Sequence, residues 1–89
     1  VPDKLTLEQN YPNPFNPVTN LEFGISDFGF VTLKIYDILG KEIETLINEN
    51  LSAGTYTVKW NAANYTSGIY FYELRTNGFS ETRKMVFLK

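Results

Sequence analysis

The sequence predicts an all-β fold, a seven-stranded antiparallel immunoglobulin-like β-sandwich. Three observations carry this. Apolar residues recur with a period of two along most of the chain, turn signals fall every eight to twelve residues, and no stretch holds a helical period. A small barrel is the alternative that spacing alone leaves open.

The closing hairpin is the clearest element. Gly68–Thr76 and Phe79–Lys89 are separated by Asn77-Gly78 alone. Asn-Gly supplies the two positive-φ positions of a type I′ turn. With that pair as the loop, Thr76 faces Phe79, Tyr72 faces Arg83 and Tyr70 faces Met85. One face then gathers Tyr70, Tyr72, Leu74, Met85 and Phe87. The other carries Ile69, Phe71, Glu73, Thr82, Lys84 and Val86, and charge marks it as the outer one. A lone hairpin is marginal in water, so the upstream chain has to cover its apolar face.

That upstream chain opens with a short strand in which Leu5 and Leu7 alternate against Lys4, Thr6 and Glu8. Asn10–Pro17 follows, with prolines at 12, 14 and 17. Those prolines forbid helix, remove three ladder donors and push each preceding residue to extended geometry. The segment reads as a stiff loop crossing the end of a sheet, with Tyr11 and Phe15 turned inward; its cis or trans state is open. Val18–Ser26 places Thr19, Leu21, Phe23 and Ile25 on one side. After a turn at Asp27-Phe28-Gly29, Val31, Leu33 and Ile35 point inward from the next strand. Asp37-Ile38-Leu39-Gly40 is a tight connection. In Lys41–Ile47 the step of three from Ile43 to Leu46 breaks the period of two, which predicts a bulge or an irregular edge strand. Asn48–Gly54 reads as a loop. Tyr56, Val58 and Trp60 alternate along Thr55–Asn61, and Ala62–Ser67 is a second loop.

The bulk numbers bound the function. Eighty-nine residues make one domain, residues 1–89. Net charge is −2 and no Lys/Arg cluster stands out, which argues against nucleic acid. No apolar run approaches a membrane span. There is no signal peptide, so an exported protein of this sequence is expected to be a piece of something longer. Histidine and cysteine are both absent. That removes the commonest general base, thiolate nucleophiles, disulfides and the usual zinc ligands. Glu42, Glu44 and Glu49 read as solvated strand-edge and loop charges, and the Asp and Asn residues beside Gly and Pro as turn formers. The chain is therefore expected to be no enzyme, to need no cofactor or metal, and to be a monomer. Trp60 reads as the central core aromatic. Tyr36 and Tyr65 stay open as stacking contacts for a carbohydrate.

Several blocks together resemble a known family. They are Leu7-Glu8-Gln9-Asn10-Tyr11-Pro12-Asn13-Pro14-Phe15-Asn16-Pro17, Leu33–Glu42, Ala53-Gly54, Trp60, Ser67–Tyr72 and Arg83–Lys89. In this order they resemble the C-terminal sorting domain, type A, of the bacterial type IX secretion system. A sister resemblance runs to the immunoglobulin-like domain of the flagellar hook-capping protein. The first resemblance implies a non-catalytic signal at the end of a larger cargo. It implies translocon proteins as partners in the periplasm, a sortase-like peptidase, and delivery to the cell surface or exterior. Residue by residue it implies recognition through Pro12, Asn13 and Pro14, through Gly68 and Tyr70, and through Lys84, Met85, Val86 and Lys89. The last strand is expected to be free, open to lengthening a partner's sheet, with Arg83, Lys84 and Lys89 discouraging indiscriminate pairing. Two other classes stay in view, a carbohydrate-binding accessory module and a passive structural spacer.

Overall fold

The computed structural model of the chain describes residues 5–76 and 78–89. It contains seven strands: β1 (Leu5–Leu7), β2 (Val18–Ile25), β3 (Gly29–Tyr36), β4 (Glu42–Leu51), β5 (Gly54–Asn61), β6 (Gly68–Thr76) and β7 (Phe79–Phe87). They form two antiparallel sheets, β1-β2-β5 and β4-β3-β6-β7. The connections β2→β3, β4→β5 and β5→β6 cross between sheets, as in immunoglobulin-like sandwiches. Among the described residues no ladder joins the two sheets, so the sandwich holds and the barrel alternative falls.

Alternation places the core as the sequence requires. Thr19, Leu21, Phe23 and Ile25 of β2 are buried, as are Val31, Leu33 and Ile35 of β3. The hairpin register is Tyr70↔Met85, Tyr72↔Arg83 and Thr76↔Phe79, and Tyr70, Tyr72, Leu74, Met85 and Phe87 are all buried. Gly78 has φ +81°, as the second turn position needs; Asn77, like Lys4 of the opening strand, lies outside the described residues. Trp60 is 1% exposed and central.

Some expectations change and one is refined. Asn48–Leu51 belongs to β4, so the loop before β5 is shorter. The irregular edge strand expected around Ile43 and Leu46 is present, as two bulges at those residues: Lys34 pairs Thr45, Ile35 pairs Glu44 and Tyr36 pairs Glu42. They reset the parity of the strand, so Glu44 stands opposite the inward-facing Ile35. Glu44 is consequently no solvated edge charge: its Oε1 accepts the Trp60 Nε1–H at 2.9 Å and the Tyr65 O–H at 3.2 Å. Tyr11, finally, is 77% exposed, and only Phe15 turns inward.

The fold has two poles. At one lie Leu5, Ile25 and Gly54, in register across β1, β2 and β5, with the β2–β3 turn and the hairpin turn after Thr76. At the other lie Asn61, Gly68 and Phe87, the turn after Tyr36 and the proline segment.

Candidate functional site

The proline segment leaves the β1-β2-β5 sheet, crosses to the last strand of the other sheet and returns. Its first anchor is β2, where Tyr11 and Asn20 exchange both backbone hydrogen bonds, at 3.1 and 2.9 Å. Asn10 is buried beneath it. The Asn10 Nδ2 donates to the Pro12 carbonyl and to Thr19 Oγ1, both at 3.0 Å, and the Thr19 hydroxyl donates to the same Pro12 carbonyl at 2.9 Å. A proline-rich stretch has few donors of its own, so side chains beneath it supply the bonds that fix its path.

The far side of the loop clasps β7. The Asn13 Oδ1 accepts the Val86 N–H at 3.0 Å. The Phe15 N–H donates to the Val86 carbonyl, and the Leu88 N–H to the Phe15 carbonyl, each at 3.0 Å, forming a parallel bridge Phe15↔Phe87. The Gln9 Nε2 donates to the Lys84 carbonyl at 2.7 Å. The Phe15 ring stacks on Phe87 at 5.1 Å and tilts against Trp60 at 5.8 Å. The Pro17 carbonyl then accepts the Ala62 N–H at 2.9 Å, returning the chain to β2.

This overturns the free last strand. Residues 84, 86 and 88 of the outer edge are engaged by Gln9, Asn13 and Phe15. Pro12 and Pro14, with no N–H, sit where a further strand would approach, which blunts the edge.

The residues singled out by resemblance converge on this pole. Pro12, Asn13, Pro14, Lys84 and Lys89 are exposed, and Val86 is half-buried. Gly68 pairs with Phe87 at φ +155°, a backbone conformation that favours glycine. The Lys89 N–H donates to Ser67 Oγ at 2.9 Å, tying the chain's last residue to the residue before β6. Tyr70 and Met85 are cross-strand neighbours and both buried, so they support this surface from beneath. The Tyr70 hydroxyl donates to the Thr66 carbonyl at 2.7 Å, and its ring meets Trp60 and Tyr65 edge-on. Asn10, Gln9 and Ser67, which fall inside the blocks that carry the resemblance but had no role expected of them, and Thr19, expected only as an inward residue of β2, complete the arrangement.

Tyr36 and Tyr65 do not come together. Tyr36 is on the outer face of the four-stranded sheet, its hydroxyl donating to Glu73 Oε1 at 3.0 Å. Tyr65 lies in the β5–β6 loop against Trp60, at 5.6 Å. Partial burial raises both phenol pKa values, reinforced by the Glu73 hydrogen bond for Tyr36 and by the charge of Glu44 for Tyr65. Among the described residues no cluster of acidic side chains is arranged to hold a metal ion.

A comparison with curated proteins finds no match. Two solved structures are similar in fold. One is the crystal structure of dimeric latent PorU from Porphyromonas gingivalis, with TM-score 0.75 and 18% identity over 99% of this chain and 10% of that one. The other is PorZ, described as an essential bacterial surface component of the type-IX secretion system of the same organism. It has TM-score 0.66 and 22% identity over 91% of this chain and 11% of that one. The chain thus spans about a tenth of each. Residues 9–88 match the secretion system C-terminal sorting domain family, from the proline segment through the clasped last strand, and the chain belongs to that family.

Proposed function

We propose that the chain is the non-catalytic export tag of a larger cargo. Translocon proteins of the type IX system read it in its folded form, in the periplasm, and pass the cargo to the cell surface or exterior, where a sortase-like peptidase removes the tag. The single observation behind this reading is the clasp. It brings the Tyr11–Phe15 block and the Lys84–Lys89 block, distant in sequence, onto one pole. A surface assembled this way exists only when the domain is folded, and its ordering cost is met before a partner arrives. Pro12, Asn13, Pro14, Lys84, Val86 and Lys89 would touch the partner, while Gly68, Tyr70 and Met85 hold the surface in shape.

Export of the full-length parent in its native host tests the proposal. Deleting Met85–Lys89 is expected to leave the cargo in the periplasm. Because Met85 and Phe87 are core residues, the milder Asn13→Ala is run beside it and is expected to lower export while the domain still melts cooperatively. Normal export of both variants overturns the reading.

A further inference from the structure

The pole carries more apolar surface than the clasp uses. Ile38 is 59% exposed, Leu39 88% and Leu88 52%. The first two sit on the turn between β3 and β4. It is held rigid because the Asp37 Oδ1 accepts the Leu39 and Lys41 N–H groups, each at 2.9 Å, and the Gly40 N–H donates to the Asp37 carbonyl at 2.9 Å. A groove of about 230 Å³ separates this tip from Ser67–Tyr70. Ile69 and Phe71 of β6 and Val86 of β7 are half-buried on the outer face of the same sheet, Ile69 pairing Val86 and Phe71 pairing Lys84. Leu88 continues their alternation. Apolar side chains gathered at one pole in this way are a signature of contact sites.

The charge around it is predominantly positive. Among the described residues, Lys41, Lys59, Lys84 and Lys89 have no ion pair, and all but Lys59 lie at this pole on the four-stranded side. Of the acidic groups nearby, Glu42 pairs with Lys34 at 3.3 Å and Glu73 with Arg75 at 3.0 Å. Asp37, which binds the N–H groups of its own turn, and Glu44, which accepts from Trp60 and Tyr65 on the inner side, keep their charges without a cation partner among the described residues. Three lysines therefore rim an apolar knob and groove, and Asp37 in the turn is the carboxylate set against them.

We infer that this patch is where a folded protein docks, presenting an acidic rim around an apolar recess that takes Leu39. The opposite charge follows from the excess of unpaired lysines over the Asp37 carboxylate, and the shaped counterpart from a rigid tip set beside a groove. This rests on the sorting reading above and names the chemistry of its partner.

The test uses the full-length parent in its native host, with benzoyl-phenylalanine as a photoreactive probe at position 39 and, as control, at position 28 on the opposite pole. An adduct with an envelope protein is expected from position 39 and absent from position 28. Lys41→Glu with Lys84→Glu is expected to cut that adduct and the exported fraction at least tenfold, with the melting temperature unchanged. Lys41→Arg with Lys84→Arg is expected to preserve both. An adduct with lipid alone, no adduct, or normal export of the charge-reversed chain would overturn the inference. If removing the whole domain leaves export normal, the sorting reading itself fails. If removal blocks export and the charge reversal does not, only the docking patch fails.

Discussion

The Asn13 side chain accepts the backbone N–H of Val86 at 3.0 Å, across 73 positions of sequence. A side-chain amide here takes the part of a strand carbonyl. It satisfies a donor on the outer edge of β7 that would otherwise face solvent.

Asn13→Ala is therefore expected to leave the Val86 N–H to solvent, costing about 0.5–1.5 kcal/mol. Hydrogen exchange at Val86 and Leu88 should accelerate by roughly tenfold, while amides of β3 and β6 hold their protection. Unchanged exchange at Val86 would show that the clasp contributes nothing.

Phe15 and Tyr11 make a matched pair, two aromatics of one segment with opposite environments. Phe15 is 2% exposed and packed on Phe87 and Trp60, so Phe15→Ala should cost about 3–5 kcal/mol. For a domain of this size each kcal/mol moves the melting temperature by about 4–8 °C. Tyr11→Ala should stay within about 0.5 kcal/mol. Calorimetry on the two variants separates the anchor from the exposed ring, and equal losses would contradict the placement.

Alkaline pH should destabilise the domain, in part through Tyr72. Burial pushes its phenol up to about 12, and its hydroxyl donates to the Glu8 carbonyl at 2.7 Å. Below about pH 10 both folded and unfolded chains keep this proton, and the contribution is fully present. Between pH 10 and 12 the unfolded chain releases it and the folded chain does not. Stability then falls by at most about 1.4 kcal/mol per pH unit from this group. Tyr36 and Tyr65, also raised, act in the same direction. Urea midpoints at pH 9, 10 and 11 should decline for the native chain and decline less for Tyr72→Phe; parallel curves would remove Tyr72 from the explanation.

Much of this fold was legible because it is local. A two-residue Asn-Gly loop sets the β6–β7 register, and that register alone puts Tyr70 beside Met85 and buries both. The step from Ile43 to Leu46 announced an irregular strand. It could not reveal that two bulges turn Glu44 toward Trp60, because parity after a bulge depends on the partner strand. In the proline segment the alternation of Tyr11, Asn13 and Phe15 carries no reliable face, since prolines interrupt any ladder that would fix one. Which aromatic enters the core was decided by Phe87 and Trp60, which lie far along the chain. The lysine-rimmed patch was invisible for the same reason, its cations being scattered at 41, 84 and 89 and joined only by the turn after Tyr36 and the end of β7.

The first strand runs in beside Ile25 and Gly54, whereas the clasp lies at the far end of the sandwich. On the sorting reading proposed above, a passenger fused ahead of Leu5 would hang from the base of the handle, away from its grip, and one address label could then serve freight of many kinds. Conversely, grafting only the closing dozen residues onto a reporter would deliver half a grip, because the opposing half is folded from the opening turn of the domain.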